Sequence, residues 1–283
     1  MKSSRLMQWA LRGIAVLTLS LSLSACFHFT IVSHKQDLKA SRVEAASIEV
    51  QQALAPTGIL RVGVYAGSPT SLVKETPTGE SVGIALDLGK ELAKRLNVPV
   101  QVIEYQRVAQ VLDALKNKQV DFTFTNSTAL RAKDVDFTQA MLRLELGYLV
   151  VASSPIRALT EIDQPSTRVG VSQGSSSQGV LTQTLQKAKV VTAESLNQAQ
   201  AMLTSQQIDA FATNKGILFE MSDALPGSRV LEGRWGLENL AIAIPKGRDT
   251  GGDFVQSFAN ELVKNGSLDK AIQRSGLRGV ARD

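Results

Sequence analysis

Short runs of β-branched and aliphatic residues alternate along this chain with longer stretches in which apolar positions recur every three to four residues. Gly58-Ile-Leu-Arg-Val-Gly-Val64 reads as a buried strand, followed by a Gly/Ser/Pro/Thr-rich loop from Gly67 to Gly79. Ile84, Leu88, Leu92 and Leu96, with Lys90, Glu91, Lys94 and Arg95 opposite, predict an amphipathic helix on a sheet. Val100 to Ile103 is the next strand, Val108, Val111, Leu112 and Leu115 mark a second helix, and Val120 to Thr125 is a third strand running into Asn126. A second set follows: a strand at Val169 to Val171, a helix from Ser175, a strand at Val190-Val191, a helix around Ala199 to Leu203, a strand at Ile208 to Ala212 and a helix through Ile217 and Phe219. Leu146 to Ala152 and Leu240 to Ile244 are strands without a following helix and read as crossings between the sets. Phe254, Phe258 and Leu262, then Leu268 and Ile272, predict two closing helices that pack back on the first set.

The two sets echo each other. Gln119-Val-Asp-Phe-Thr-Phe-Thr-Asn126 and Gln207-Ile-Asp-Ala-Phe-Ala-Thr-Asn214 share an early Asp and a final Asn, and each is preceded by its own Arg-Val-Gly-Val strand, at Arg61 and at Arg168. The fold class is therefore α/β, in two units of related construction with a cleft between them. Ligands of open α/β sheets sit beyond the carboxyl ends of the strands, where Asn126 and Asn214 fall; turn or capping roles are the alternative for both.

The amino terminus has a different pattern. Lys2, Arg5 and Arg12 precede an uncharged apolar run from Ile14 to Leu23, too short for the roughly 20 residues of a spanning helix, so residues 1–25 read as a removed signal segment. Leu23-Ser24-Ala25-Cys26 resembles the bacterial lipobox, which implies acylation of Cys26, the one cysteine in the chain, and membrane attachment by lipid. Phe27 rather than Asp follows it, which by the same resemblance implies the outer membrane. Residues 26–56 are expected to be the lipidated Cys and a tether. The formal charge of +5 falls to about +2 once Lys2, Arg5 and Arg12 leave with the signal. No clustered Lys/Arg with stacking aromatics remains, so nucleic acid is not an expected partner.

Candidate chemistry is narrow. Both histidines, His28 and His34, lie in the tether, and the body has no cysteine, which excludes Ser-His-Asp, Cys-His and His-rich metal sites there. Gly174-Ser-Ser-Ser-Gln-Gly179 is neither a nucleophile elbow nor a phosphate loop. Its hydroxyls and free backbone N–H groups at a helix start after a strand suit an anion, or Ser175 or Ser176 caps the helix. Thr128-Ala-Leu-Arg131 places a guanidinium at the rim of the first set, able to hold a carboxylate through two parallel hydrogen bonds; a solvated Arg is the alternative. No cofactor is expected, and no metal.

As an ordered series, Gly83-Ile-Ala-Leu-Asp-Leu, Leu112-x-x-Leu115 ahead of Gln119-Val-Asp121, Thr128-x-x-Arg-Ala-Lys-x-Val-Asp-Phe-Thr138, Arg168-Val-Gly-Val-x-x-Gly-Ser-Ser176 and Ile208-Asp-Ala210 resemble the family 3 extracellular solute-binding proteins of ABC importers. The resemblance runs over most of residues 58 to 275. It implies a two-lobed periplasmic-binding-protein type II fold whose two crossing strands form a hinge. Lobe 1 is expected at 57–149 plus 240–283 and lobe 2 at 150–239. It further implies a non-enzymatic, periplasmic, monomeric protein that captures a small carboxylate-bearing solute, an amino acid or analogue, and delivers it to an ABC permease. By the same resemblance Arg131 and Thr128 hold the carboxylate, helped by Ser175 and Ser176, with Asn126 and Asn214 in the cleft. Tyr65 is a candidate apolar wall or a core residue, and Arg107 a candidate for a second carboxylate or a solvated helix-start residue.

Several positions depart from the family's pattern. Amino-acid binders carry an acid where this chain has Asn214, Ser68-Pro-Thr-Ser-Leu72 lacks the usual aromatic, and the Gly-x-Asp-x-Asp motif is reduced to Gly83-Ile-Ala-Leu-Asp87. A few relatives look like dehydratases, which need an acid in the cleft; Asp87 is the one visible candidate. A ligand-sensing partner of a membrane receptor is a further alternative.

Overall fold

The computed structural model describes residues 46–74 and 79–282; the expected signal segment, Cys26, both histidines and most of the expected tether lie outside the described residues. The first half of the body runs α1 (Ile48–Leu54), β1 (Leu60–Tyr65), α2 (Ile84–Arg95), β2 (Val100–Tyr105), α3 (Val108–Lys116), β3 (Thr123–Asn126), β4 (Val135–Phe137) and β5 (Leu142–Val150). The second half runs β6 (Arg168–Ser172), α4 (Ser176–Thr184), β7 (Lys189–Ala193), α5 (Leu196–Thr204), β8 (Ala210–Asn214), α6 (Lys215–Asp223), β9 (Arg229–Val230), β10 (Gly236–Pro245), α7 (Asp249–Lys264) and α8 (Ser267–Arg274).

Residues 48–55, expected to belong to the tether, pack on the body instead. They join it because Ser47 caps α1 and Leu54 enters an apolar slot against α7, where a Cβ on Gly251 would lie 2.5 Å from Leu54 Cδ2. Leu54 and Ala55 are buried as a result.

Parallel strands β1 and β2 pair from Leu60↔Val100 to Tyr65↔Tyr105, and α2 forms the crossover between them. Its apolar stripe, Ile84, Leu88 and Leu92, is fully covered. Strand β3 comes alongside β1, with Gly63 N donating to Phe122 O at 2.9 Å. From there the sheet order is β3-β10-β5-β8-β6-β7, with β4 also pairing β10 and β9 pairing β5. Strand β10 runs antiparallel to β3 over Ala243–Leu240 and to β5 over Leu240–Gly236, while β5 runs antiparallel to β8 over Leu146–Leu149. Thus β5 and β10 lie side by side and carry the chain from one α/β set to the other and back. Trp235 fastens this passage: Nε1 donates to Gly147 O at 2.9 Å and the ring packs on Tyr148, centroids 6.0 Å apart.

Each set has its own apolar core. Leu60, Val62, Leu92, Phe122 and Phe124 pack with Ile242 and Phe258 of the returning chain. In the second set one sheet face is covered by Ala199, Leu203 and Leu218, the other by Leu181 and Ile162. Burial on both faces explains why β6 and β8 read as nearly continuous apolar runs. The result is the two-lobed α/β fold joined by two crossing strands. Among the described residues no helix is long and apolar enough to cross a membrane.

Candidate functional site

The carboxyl ends of β1, β3, β6 and β8 converge on a cavity of about 30 Å³, room for roughly one water. Tyr65 ends β1, Asn126 ends β3, Ser172 ends β6 and Asn214 ends β8, and all four line it. Arg107, Arg131, Ser175, Ser176 and Glu238 complete its polar wall, and Leu196, Ile217 and Leu240 its apolar one. The sides meet closely. Gly174, at φ +73°, stands so near α3 that a Cβ there would lie 2.6 Å from Ala109 Cβ, a position that requires glycine on both counts.

A chain of hydrogen bonds threads the site. Asn126 Nδ2 donates to Ser176 Oγ at 3.1 Å, and Ser176 Oγ donates to Glu238 Oε1 at 3.1 Å. Asn214 Nδ2 donates to Glu238 Oε2 at 3.0 Å. The oxygens of both side-chain amides are used by the backbone. Asn126 Oδ1 accepts from Asn239 N at 2.9 Å, and Asn214 Oδ1 accepts from Ile217 N at 3.1 Å, capping α6. Ser175 Oγ caps α4 by accepting from Gln178 N at 3.1 Å. Capping and lining of the cavity are thus combined in Ser175 and Asn214, two roles that the sequence presents as alternatives.

Arg131 begins a short 3₁₀ turn and sends its guanidinium back beneath β3. One terminal nitrogen donates to Asn126 O at 2.9 Å and to Thr125 Oγ1 at 3.3 Å, both neutral acceptors. Loss of water around this group pulls its pKa down, with Glu238 and Tyr65 opposing the shift. Glu238 is its counterpart. It is only 8% exposed, and burial pushes its carboxyl pKa up against the pull of Arg131, Asn214 and Ser176. No ion pair joins the two: the hydrogen-bond partners of each are neutral, and each charge feels the other only across the cavity. Burial also raises the Tyr65 hydroxyl, which donates to Ser68 Oγ at 3.4 Å.

Of the residues singled out from sequence, the fold brings Tyr65, Arg107, Asn126, Arg131, Ser175, Ser176 and Asn214 onto this one cavity. Arg107 reaches across to the second set, donating to Glu194 O at 3.4 Å, while its Nε is buried without a partner. Thr128 stands apart. Its Oγ1 accepts from Arg131 N at 3.2 Å, and it faces an adjoining groove of about 570 Å³ that shares Arg131, Ser175 and Ser176 with the cavity. Its place in the turn positions Arg131 from outside the cavity. Asp87 is also elsewhere, in the first turn of α2, over a groove with Lys90 and Arg274. The acid in the cleft is Glu238, which sequence reasoning missed. Its one signal was a Glu-Asn step immediately before the Leu240 crossing, on the face of β10 shared with Leu240, whose partner is Asn126.

A cavity at converging strand ends, between two α/β lobes linked by two strands, defines a solute-binding protein. Residues 60–276 match the bacterial extracellular solute-binding proteins, family 3, and the chain belongs to that family. It is 26% identical over 237 residues to the glutamine-binding protein of Geobacillus stearothermophilus, covering 82% of this chain and 90% of the relative. To the ABC transporter glutamine-binding protein GlnH of Bacillus subtilis it is 23% identical over 206 residues, covering 71% and 75%. Among solved structures, an ancestral amino acid-binding protein described as a precursor of cyclohexadienyl dehydratase superposes with a TM-score of 0.68 at 25% identity, over 79% of this chain and 97% of its own. An ancestral arginine-binding protein bound to glutamine superposes with a TM-score of 0.67 at 26% identity, over 76% and 96%.

Proposed function

We propose that this protein is the binding component of an ABC importer, capturing a small carboxylate-bearing solute of the amino-acid type between lobe 1 (57–149 plus 240–283) and lobe 2 (150–239) and presenting it, as a monomer, to a membrane permease. The carrying observation is Arg131, a desolvated guanidinium at the strand ends with only neutral acceptors. A buried cation without an anion is costly, and a ligand carboxylate relieves that cost. The relatives' names, glutamine-binding and arginine-binding among them, support the same solute class. Asn126, Ser175, Ser176, Asn214 and Tyr65 shape the site, Thr128 holds the Arg131 turn, and Arg107 offers its unpartnered Nε to an acceptor at the solute's far end. The present 30 Å³ is too small for an amino acid. Admission therefore requires the lobes to part about β5 and β10, and closure is favoured because only the closed form satisfies both halves of the ligand. Acylated Cys26 tethers the mature protein in the periplasm, at the outer membrane.

A thermal-shift scan of the full chain against the common amino acids tests this reading. A ligand at about 100 times its dissociation constant adds about 2.7 kcal/mol of stability, which raises the melting temperature of the wild type and leaves Arg131→Ala unmoved. Equal stabilisation of both proteins overturns the placement of the carboxylate.

A further inference from the structure

We infer that Glu238, carried into the cleft by the crossing strand β10, is the receptor for the solute's amino group, so that the cationic half of the ligand is read by the inter-lobe passage. This inference rests on the solute reading above and specifies the part of it that Arg131 leaves open. Among the residues lining the cavity, Glu238 is the one acid, and it is more than nine-tenths buried. Both its oxygens are directed by lobe 2 donors, Ser176 Oγ at 3.1 Å and Asn214 Nδ2 at 3.0 Å, and neither donor carries charge. Across the same cavity Arg131 is in the complementary condition, a partly buried cation whose hydrogen bonds go to a carbonyl and a hydroxyl.

A carboxylate and a guanidinium facing one small space without pairing form the mirror image of a zwitterion. A ligand carboxylate at Arg131 together with an ammonium at Glu238 neutralises both in one event and replaces weak neutral bonds with charge-assisted ones. A carboxylic acid without an amine satisfies only Arg131 and leaves Glu238 as it is. The neutral amide of Asn214 has no charge to offer an ammonium. It serves instead as a brace: it donates one N–H to Glu238 while its oxygen is committed to the α6 cap. Because Glu238 lies on a strand connecting the lobes and is held by two lobe 2 groups, an amine bound there also contacts the element about which the lobes part.

The test uses the full chain and isothermal titration with each of the twenty common L-amino acids, alongside analogues bearing hydrogen in place of the α-amino group. The wild type should bind an amino acid. Glu238→Gln should weaken that binding by about 100-fold, the scale expected when a buried charge loses its partner, and weaken the deaminated analogue far less. Combining Glu238→Gln with Asn214→Asp places the carboxylate on the opposite side of the same 3.0 Å contact and should recover most of the lost affinity, while retained binding of the deaminated analogue shows that the single variant is folded. The inference is overturned if Glu238→Gln binds the amino acid as the wild type does, if it loses amino acid and analogue equally, or if the wild type prefers deaminated acids. In the last case the Arg131 reading survives. If the wild type binds no probe, the solute reading falls and this inference falls with it.

Discussion

The two α/β lobes repeat one device in two environments. In lobe 1, Asp121 accepts from Arg61 three times: from its backbone N at 2.9 Å, from Nε at 2.8 Å and from Nη2 at 2.8 Å. In lobe 2, Asp209 accepts from Arg168 by the same three atoms at 2.7, 3.0 and 2.8 Å. Each clamp pins the start of an Arg-Val-Gly-Val strand to the residue that opens the neighbouring parallel strand, and each is preceded by a left-handed residue, Lys118 at φ 57° and Gln206 at φ 56°. The surroundings differ. Asp121 is fully covered and takes a further bond from Arg248 Nη2 at 2.6 Å, while Arg248 Nη1 holds Leu54 O at 2.7 Å. The lobe 2 pair is open, with side chains 42% and 30% exposed. The same local geometry therefore carries different energetic weight. In lobe 1 it ties β1, α1 and the start of α7 into one buried knot; in lobe 2 it is a surface brace screened by solvent.

This contrast can be broken in four ways. The largest effect is expected from Asp121→Ala, which strands Arg61 and Arg248 together and should cost about 3–5 kcal/mol in urea unfolding, against about 1 kcal/mol for Asp209→Ala. Equal losses would show that burial does not separate the two clamps. Next, Arg248→Ala removes only what lobe 1 has in addition and should cost roughly 2 kcal/mol; protease sensitivity rising first at α1 would locate the loss. A smaller difference is expected between the paired asparagines. Asn214→Ala deletes the α6 cap and should lower stability by about 1 kcal/mol, and the same change at Asn126, which caps no helix, should cost less.

The smallest effect concerns acid. The hydrogen bonds from Arg168 hold the Asp209 carboxyl below its usual pKa. Its contribution is therefore present above an unfolded value of about 3.9 and is lost as pH falls through the lower folded value. Asp209→Asn should differ from wild type by at most about 1 kcal/mol at pH 7, and by progressively less below about pH 4. A gap that widens in acid would contradict the sign of the shift.

Much of this was legible in the sequence, since helical stripes and strand runs are local patterns. The stripe Ile84, Leu88, Leu92 became α2, and the two strands without a following helix became β5 and β10. The echo located Asn126 and Asn214 at strand ends because a parallel sheet aligns its carboxyl termini. The family resemblance was borne out over residues 60–276. The joining of α1 to the body was less visible, since one Leu54 in a polar stretch carries little periodic signal and its slot is built by α7, far along the chain. The pairing of Arg61 with Asp121 was hidden for a similar reason: both residues stood out as parts of the echo, but a contact across that separation leaves no mark on spacing.

Glu238 shows where local reading ends. In Gly236-Leu-Glu-Asn-Leu240 alternation puts the acid on the covered face it shares with Leu240, but residue type alone, a carboxylate next to Asn239, reads as solvent-facing. By itself the sequence determined the elements, their order and the strand ends at which a site would form, because these follow from periodicity and backbone preference over a few residues. Only the tertiary structure decided which side chains share that site. Whether a charge faces water or a cavity depends on what the neighbouring strands bring to the same face, and β10 meets β3 and β5, which leave Glu238 enclosed with Ser176 and Asn214 across from Arg131.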